Sequence, residues 1–168
     1  MARITFQPIG VIHTPFKTAT GMPVQSVAAK GVVGSIELDP TYQAGLKDIA
    51  DFSHLILLYH LHLIDEYKLE VIPFLDDQPH GVFATRSPKR PNAIGLSIVK
   101  LLNVAGNTLQ IEEIDVIDGT PLLDIKPYVP EFDVRITDQI GWFSPRVADV
   151  YTVRAGERNT ASPAKSGS

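Results

Sequence analysis

The most unusual stretch of the sequence is a basic, proline-containing loop over residues 81–96. Arg86, Lys89 and Arg90 place three cations within five residues, in a chain of net charge -4. Arginine offers a planar fork of donors to carboxylates and phosphates, and prolines hold a loop in shape before a ligand arrives. The pattern favours an anion-binding loop, and the alternative is a solvated, proline-stiffened connection.

A second group consists of His54, His60 and His62, whose even spacing predicts a common face of one strand. Two histidines on one strand face can chelate zinc. The chain has no cysteine and no clear third ligand accompanies these residues. Local hydrogen bonding is the favoured role, and we predict no metal site.

Polar residues also mark the segment 117–128. Asp118-Gly119 is a strong turn signal and Thr120-Pro121 disfavours helix, so a turn that leads into a short strand is expected. Charges at 124 and 126 among apolar neighbours indicate side chains that are paired or face a site. An ordinary turn and a functional one are equally open on this evidence.

The N-terminal region holds a long irregular stretch, with 14–17 and 21–25 before the next strand signal. A loop of this length in a compact domain is often functional or mobile. The sequence contains no Walker loop, Rossmann fingerprint, nucleophile elbow or HExxH helix.

The elements that must position these residues are mostly strands. Val, Ile, Leu, Phe and Thr are concentrated at 9–13, 31–38, 52–63, 81–84, 96–104 and 108–114. Gly106-Asn107 predicts a tight hairpin, and Asp39-Pro40 predicts the start of one short connecting helix. Because strands and helices do not alternate along the chain, the fold class is mainly β, as a barrel.

Composition bounds the remaining possibilities. The chain has 168 residues, of which 44% are hydrophobic, which suits one domain with a sizeable core. The absence of cysteine excludes disulfides and thiol nucleophiles. No apolar run approaches the roughly 20 residues of a membrane-spanning helix, so we expect a cytoplasmic protein. We expect the domain over 1–155 and a flexible tail over 156–168.

Six motifs in this order make the chain resemble the TsaA-like family of TrmO-type, S-adenosylmethionine-dependent tRNA N6-methyltransferases. They are residues 8–16 (PIGVIHTPF), 21–25 (GMPVQ), 34–38 (GSIEL), 52–54 leading to 61–62, the loop 85–96, and 118–128 (DGTPLLDIKPY). Together they extend over some three-quarters of the chain.

The resemblance implies a single-sheet, eight-stranded β-barrel with short connecting helices that binds S-adenosylmethionine without a Rossmann domain, as a homodimer. It places the cofactor on Pro23, Val24, Gln25, Leu61, His62, Arg86, Leu96, Asp118, Gly119, Thr120, Pro121 and Leu122. We expect Arg86 to pair with the methionine carboxylate, while backbone groups of Leu96 and of the 118–121 turn contact the adenine or ribose.

The implied reaction moves a methyl group to N6 of threonylcarbamoyladenosine beside the anticodon of tRNA. Asp124, Tyr128 and His62 are the expected proton acceptors or orienting groups, and Lys89, Arg90 and Asn92 are expected to contact the RNA. Three alternatives remain open. The barrel methylates a non-tRNA acceptor, it is a non-catalytic module that senses S-adenosylmethionine or a nucleotide, or it is a purely structural β domain.

Overall fold

The computed structural model describes residues 3–156, and its centre is a closed antiparallel barrel. Around the barrel the strands follow the order β1, β2, β7, β6, β3, β8, and β8 pairs back onto β1. The bounds are β1 Gly10–His13, β2 Val33–Leu38, β3 His54–His60, β6 Ile94–Ala105, β7 Thr108–Glu112 and β8 Thr120–Pro127. Two further strands, β4 Glu70–Val71 and β5 His80–Gly81, pair only with each other.

The barrel interior follows from alternation along each strand. In β3, Leu55, Leu57 and Tyr59 are buried, whereas the residues between them face outward. Strand side chains alternate between two faces, so an apolar residue at every second position fills the interior of a barrel. Ile12, Ile36, Leu55, Leu57, Val99, Leu109, Ile111 and Leu122 are fully buried in this one core.

Three of the barrel's connections meet at one end of the barrel, and the connections 39–53 and 106–107 lie at the other end. Because neighbouring strands are antiparallel, β1, β3 and β7 end where β2, β6 and β8 begin. The connections 14–32, 61–93 and 113–119 therefore meet at this end, which we call the loop end. Every motif with unusual polar residues in the sequence lies in these connections or on the strands that flank them.

The mainly β class and the barrel are confirmed, but a single sheet of eight strands is not, because six strands close the barrel and two form a separate ribbon. The connection 61–93 carries Pro73, Pro79, Pro88 and Pro91. Proline lacks the N–H that a central strand must donate, which keeps this stretch out of the barrel ladder.

The predicted strand over residues 81–84 is wrong. Only the first of these residues belongs to β5, and Val82–Ala84 is a 3₁₀ helix. Both the backbone N–H and the Oγ1 of Thr85 donate to the Val82 carbonyl, at 3.1 and 2.9 Å. This local hydrogen bonding competes with strand pairing.

The hairpin and the connecting helix are confirmed. Ala105 pairs with Thr108 across the turn, and Gly106 supplies the positive φ of 62°. The helix Pro40–Leu46 is of the 3₁₀ type, and Asp39 Oδ1 accepts its Thr41 N–H at 2.8 Å. The other 3₁₀ helices of residues 3–156 are Ser26–Ala28, Ile49–Asp51, Gly141–Phe143 and Val147–Tyr151, and α1 is Pro130–Asp133.

The segment after β8 returns to the loop end. Gly21 N–H donates to the Ala155 carbonyl at 2.9 Å, and Ala155 N–H donates to Met22 at 2.8 Å. Val150 and Val153 are buried by this return. The predicted tail over 156–168 lies outside the described residues apart from Gly156. Within residues 3–156, no helix has the length and apolar character to cross a membrane.

Candidate functional site

A cavity of about 620 Å³ lies against the outer face of the barrel, lined by residues of the loop end and also by His54 and Tyr128 from the opposite end. Its walls come from the Ser26–Ala28 region, from the connection 61–93, from β6 and from the returning C-terminal segment. Its lining residues are Val24, Gln25, Ser26, Val27, His54, Pro73, Phe74, Leu75, Arg86, Ser87, Ile98, Glu113, Tyr128, Ile140, Trp142, Phe143, Val147 and Val150. This size and mainly apolar lining suit a nucleoside-sized ligand held by a few polar groups.

Arg86 is the cation of this cavity. Its Nη1 donates to Gln25 Oε1 at 2.8 Å, and both side chains line the wall. Glu113 lines the same cavity and has a left-handed φ of 70°, which a non-glycine residue adopts at an energetic cost. One arginine and one carboxylate in a mostly apolar cavity can hold the two ends of an amino-acid zwitterion.

A buried polar chain lies inside the barrel beside this cavity. Tyr59 Oη is 2.9 Å from Ser97 Oγ, and Ser97 Oγ donates to Asp115 Oδ1. Tyr59 is 5% and Ser97 1% exposed, so water contributes little to this chain. The residues come from β3, β6 and the β7–β8 connection. These residues were not predicted from the sequence, because each one alone resembles an ordinary strand or turn residue.

Burial changes the acidity of this chain. Desolvation raises the pKa of Asp115 to about 6, although the Ser97 hydrogen bond and the charge of Arg86 act in the opposite direction. Desolvation also raises the pKa of Tyr59, to which the charge of Asp115 contributes. The field of Arg86 thus reaches both groups. The positive charge that lines the cavity and the buried carboxyl are electrostatically linked.

The Asp118 turn is a rigid structural joint. Thr14 N–H donates to Asp118 Oδ1 at 3.0 Å, and Lys17 Nζ is 2.6 Å from Oδ2. The hydrogen bonds from Lys17 and from Thr14 lower the pKa of Asp118 to about 2. Gly119 takes a φ of 79° and donates its N–H to Ile12. With the carboxylate already engaged, any ligand contact by this turn falls to its backbone.

The basic loop contains both a structural and an exposed cation. Arg90 Nη1 donates to the carbonyls of Val82 and Thr85 at 3.0 and 2.9 Å. The guanidinium of Arg90 also lies 5.8 Å from the centre of the Phe83 ring. Lys89 and Asn92 are exposed at the loop end. Arg90 therefore has a structural role in the loop, and its contact with RNA stays a prediction.

The three histidines separate in the structure. His54 and His60 share the outer face of β3, but His62 lies beyond the strand in a turn, where its N–H donates to the His60 carbonyl at 2.8 Å. Only His54 lines the cavity. Its ring meets Tyr128 edge-on at 6.4 Å, and Ser53 Oγ is 2.9 Å from its Nδ1.

Among the expected proton acceptors, Tyr128 lines the cavity, whereas Asp124 and His62 do not. Asp124 is paired with Lys126 at 2.7 Å. In the barrel ladder, Asp124 and Leu96 both pair with Leu58, so the three residues lie in one row on the outer face.

The expected cofactor residues all reach the loop end, but the cavity brings together only some of them. Val24, Gln25 and Arg86 line it. Pro23 is buried beside them and pairs with Arg154. The remaining residues, which are Leu61, His62, Leu96 and Asp118, Gly119, Thr120, Pro121 and Leu122, lie around the ends of β3, β6 and β8, outside the cavity lining.

The C-terminal wall of the cavity was also missed from the sequence. Trp142 stacks between His80, at 4.4 Å, and Phe143, at 3.8 Å between ring centres. Trp142 Nε1 donates to the Ala84 carbonyl at 2.8 Å. A Gly-Trp-Phe sequence after an exposed stretch was a usable signal, because aromatic side chains stabilise a surface segment only by packing on the domain.

An ion-pair cluster fastens this wall to the connection 61–93. Arg146 Nη2 is 3.1 Å from Asp76 Oδ1, and His80 Nε2 is 3.1 Å from Asp76 Oδ2. The Asp76 side chain is only 8% exposed. Arg146 also donates to the Leu75 carbonyl at 3.2 Å. The ion pairs of Asp76 therefore hold the stacked rings of His80, Trp142 and Phe143 in place.

Comparison with known proteins gives a consistent picture. Residues 11–134 match the family model of the tRNA-methyltransferase O N-terminal domain. A probable S-adenosyl-L-methionine-binding protein of Pyrococcus abyssi is 53% identical over 86% of this chain and 78% of its own length. The mouse tRNA (adenine(37)-N6)-methyltransferase is 39% identical over 76% of this chain.

The fold is also similar to solved structures. The crystal structure of TrmO from Pseudomonas aeruginosa matches with a TM-score of 0.71 and 34% identity over 84% of this chain. The chain spans 63% of that TrmO chain and 31% of the mouse enzyme. The C-terminal wall, residues 140–150, follows the range that the family model matches.

Proposed function

Because the chain belongs to the family of the tRNA-methyltransferase O N-terminal domain, we propose that it binds S-adenosylmethionine and methylates an adenosine of tRNA at N6. The specific acceptor that we propose is N6-threonylcarbamoyladenosine beside the anticodon. Relatives named as S-adenosyl-L-methionine-binding proteins and one named as a tRNA (adenine(37)-N6)-methyltransferase support this assignment.

The observation that carries the proposal is that Arg86 and Glu113 line the same mostly apolar cavity. The amino-acid part of S-adenosylmethionine carries a carboxylate and an ammonium group. Arg86 suits the carboxylate because its planar donor fork forms bidentate bonds, and Glu113 suits the ammonium group. Gln25, which already accepts from Arg86, fixes the guanidinium before the ligand binds. The residues present therefore fit the cofactor.

Bound S-adenosylmethionine supplies an electrophilic methyl group whose sulfur is a good leaving group. A bond from the acceptor nitrogen to the methyl carbon forms as the carbon–sulfur bond breaks, and one proton leaves the nitrogen. The protein therefore has to align donor and acceptor and to accept that proton.

We assign to His54 the role of accepting the proton that leaves the acceptor nitrogen. It lines the cavity, and imidazole is the side chain best suited to proton transfer near neutral pH. Tyr128 meets the His54 ring edge-on and acts as an orienting residue. Asp124 and His62 are less suitable, because Asp124 is paired with Lys126 and neither residue lines the cavity.

Contact with tRNA is proposed at the loop end. Lys89 and Asn92 are exposed there, and phosphate contacts position a protein on nucleic acid. We also propose a homodimer, supported by exposed apolar side chains on the connection 61–93, among them Leu63, Tyr67, Leu69 and Phe83. Light scattering of the purified protein at several concentrations tests the dimer.

The proposed reaction is tested by incubating the protein with S-adenosylmethionine labelled in the methyl group and with total tRNA. Label in the RNA fraction supports the proposal, and Glu113→Gln is expected to lower the incorporation. Label that enters only a non-RNA fraction of a cell extract would replace tRNA with another acceptor. Tight cofactor binding without transfer to any fraction would contradict an enzymatic role.

A further inference from the structure

The aromatic residues of the cavity have no role in the cofactor site described above. Phe74, Trp142 and Phe143 line the cavity together with the charged pair Arg86 and Glu113. The two charged side chains suit the carboxylate and ammonium group of S-adenosylmethionine, whose adenine is expected at Leu96 and the 118–121 turn, outside this cavity lining. Adjacent aromatic rings instead offer flat apolar surface, which is how proteins hold unstacked bases.

We propose that Phe143 and Phe74 form the acceptor subsite, which receives a purine nucleoside extruded from the RNA. This inference rests on the proposed function, since it assigns the acceptor side of the same cavity. A base that undergoes chemistry at its Watson–Crick edge has to leave the stack and enter a pocket. A volume of about 620 Å³ gives room for more than the amino-acid end of the cofactor.

The ring stack is built as a support for Phe143. Trp142 stacks on Phe143, with planes inclined by 25°, and His80 stacks on Trp142. His80 is held by Asp76, which is held in turn by Arg146. A platform fixed in advance loses little conformational freedom when a base packs on it, which favours binding. Phe74, which is 40% exposed, comes from the connection 61–93, which also carries Asp76 and His80.

The position of this wall in the chain supports an acceptor role. Trp142 and Phe143 follow the residues 11–134 that match the family model, whereas Val24, Gln25, Arg86 and Glu113 lie within them. Binding of a common cofactor requires residues of the common domain. A wall outside the matched residues is available for a task other than binding the common cofactor, such as holding the acceptor.

Trp142 provides a direct readout, because it is the single tryptophan of the chain. The full protein is saturated with S-adenosylhomocysteine and titrated with N6-threonylcarbamoyladenosine or with adenosine, while tryptophan emission is recorded. We expect a saturable change in emission. In Phe143→Ala the nucleoside affinity should fall roughly tenfold, as expected for one lost stacking contact, while S-adenosylmethionine affinity measured by calorimetry stays within about twofold.

Two further variants keep the test decisive. Phe143→Leu retains apolar volume without a ring, so it should also lose nucleoside affinity even if the alanine variant folds poorly. Phe132→Ala removes an exposed ring that does not line the cavity and should change neither affinity. The proposal is overturned if nucleoside binds equally well to Phe143→Leu, or if S-adenosylmethionine affinity falls as much as nucleoside affinity.

Failure of the proposed function has a different signature. In that case the wild-type protein transfers no methyl group to tRNA, whatever the emission of Trp142 shows. Methyl transfer by a wild-type protein whose emission and affinity show no nucleoside binding at Phe143 would overturn the subsite alone.

Discussion

Arg86 Nη1 donates a 2.8 Å hydrogen bond to Gln25 Oε1, which joins two connections of the barrel across 61 residues of sequence. The bond leaves the remaining donors of the guanidinium available on the cavity wall. The family resemblance implied the same ligand for both residues, from two separate motifs. The hydrogen bond shows that the two side chains lie next to each other.

Replacing Arg86 tests its assignment to the carboxylate of S-adenosylmethionine. Because hydrogen bonds to a charged group contribute about 1.5–3 kcal/mol, Arg86→Ala should weaken binding roughly ten- to hundredfold. The affinity of Arg86→Lys should lie between those of the wild type and Arg86→Ala, since lysine keeps the charge but lacks the planar donor fork. Isothermal titration measures these affinities. Arg135→Ala, at an exposed arginine outside the cavity lining, is the matched control and should bind normally.

Asp115 should make stability depend on pH. Its pKa rises from 3.8 to about 6 on folding, so the folded state binds a proton more readily than the unfolded chain. Stability should therefore fall as pH rises from about 4 to about 6. Asp115→Asn removes this dependence and should raise the free energy of unfolding at pH 7 by up to about 3 kcal/mol.

Urea unfolding at several pH values measures this effect. Asp138→Asn, at an exposed position, should leave the pH profile of the wild type intact. The contribution of Asp118 to stability depends on pH in the opposite direction and at lower pH. Because its pKa is lowered on folding, this contribution is lost only as pH falls from about 4 towards 2. An unchanged profile for Asp115→Asn between pH 4 and 6 would show that the carboxyl is not effectively buried.

Gly95 should be intolerant of any side chain. A Cβ at this position would fall within the ring of Tyr59, whose hydroxyl contacts Ser97. Overpacking of this kind costs about 1–3 kcal/mol. Gly95→Ala should therefore lower the melting temperature, whereas Gly45→Ala, where no atom lies within 4 Å, should have little effect. Equal melting temperatures for the two variants would count against this packing.

His54 should act on the rate of methyl transfer and not on cofactor binding. A general base contributes roughly 10²–10⁴-fold, so His54→Gln should lower kcat by about a hundredfold or more and alter the pH profile of kcat. His60→Gln changes a histidine on the same strand face that does not line the cavity, and it should leave kcat unchanged. Equal kcat values for the two variants would remove His54 from the mechanism.

Local rules predicted the barrel strands well. Alternation in β3 and the Gly106 turn depend on neighbouring residues, and so does the Asp39 cap, so each can be read from a short window. The connection 61–93 was less predictable. There Thr85 binds the backbone locally, and this overrides the strand propensity of residues 82–84.

The candidate site was predictable only where motifs were contiguous. Val24, Gln25 and Arg86 were found in this way, and the structure places them on one cavity wall. The pair Ser97 and Asp115 was missed, because its meaning arises only from a contact between different elements. The same is true of the C-terminal wall, which becomes part of the site through a chain reversal that no local pattern encodes.

The most direct test of the whole account locates the methyl group. Purified tRNA with and without the threonylcarbamoyl modification is incubated with the protein and S-adenosylmethionine, digested to nucleosides and analysed by mass spectrometry. We predict a methyl group on N6 of threonylcarbamoyladenosine, and none in the unmodified tRNA. A methyl group at another position, or none in either tRNA from a protein that binds S-adenosylmethionine, would contradict it.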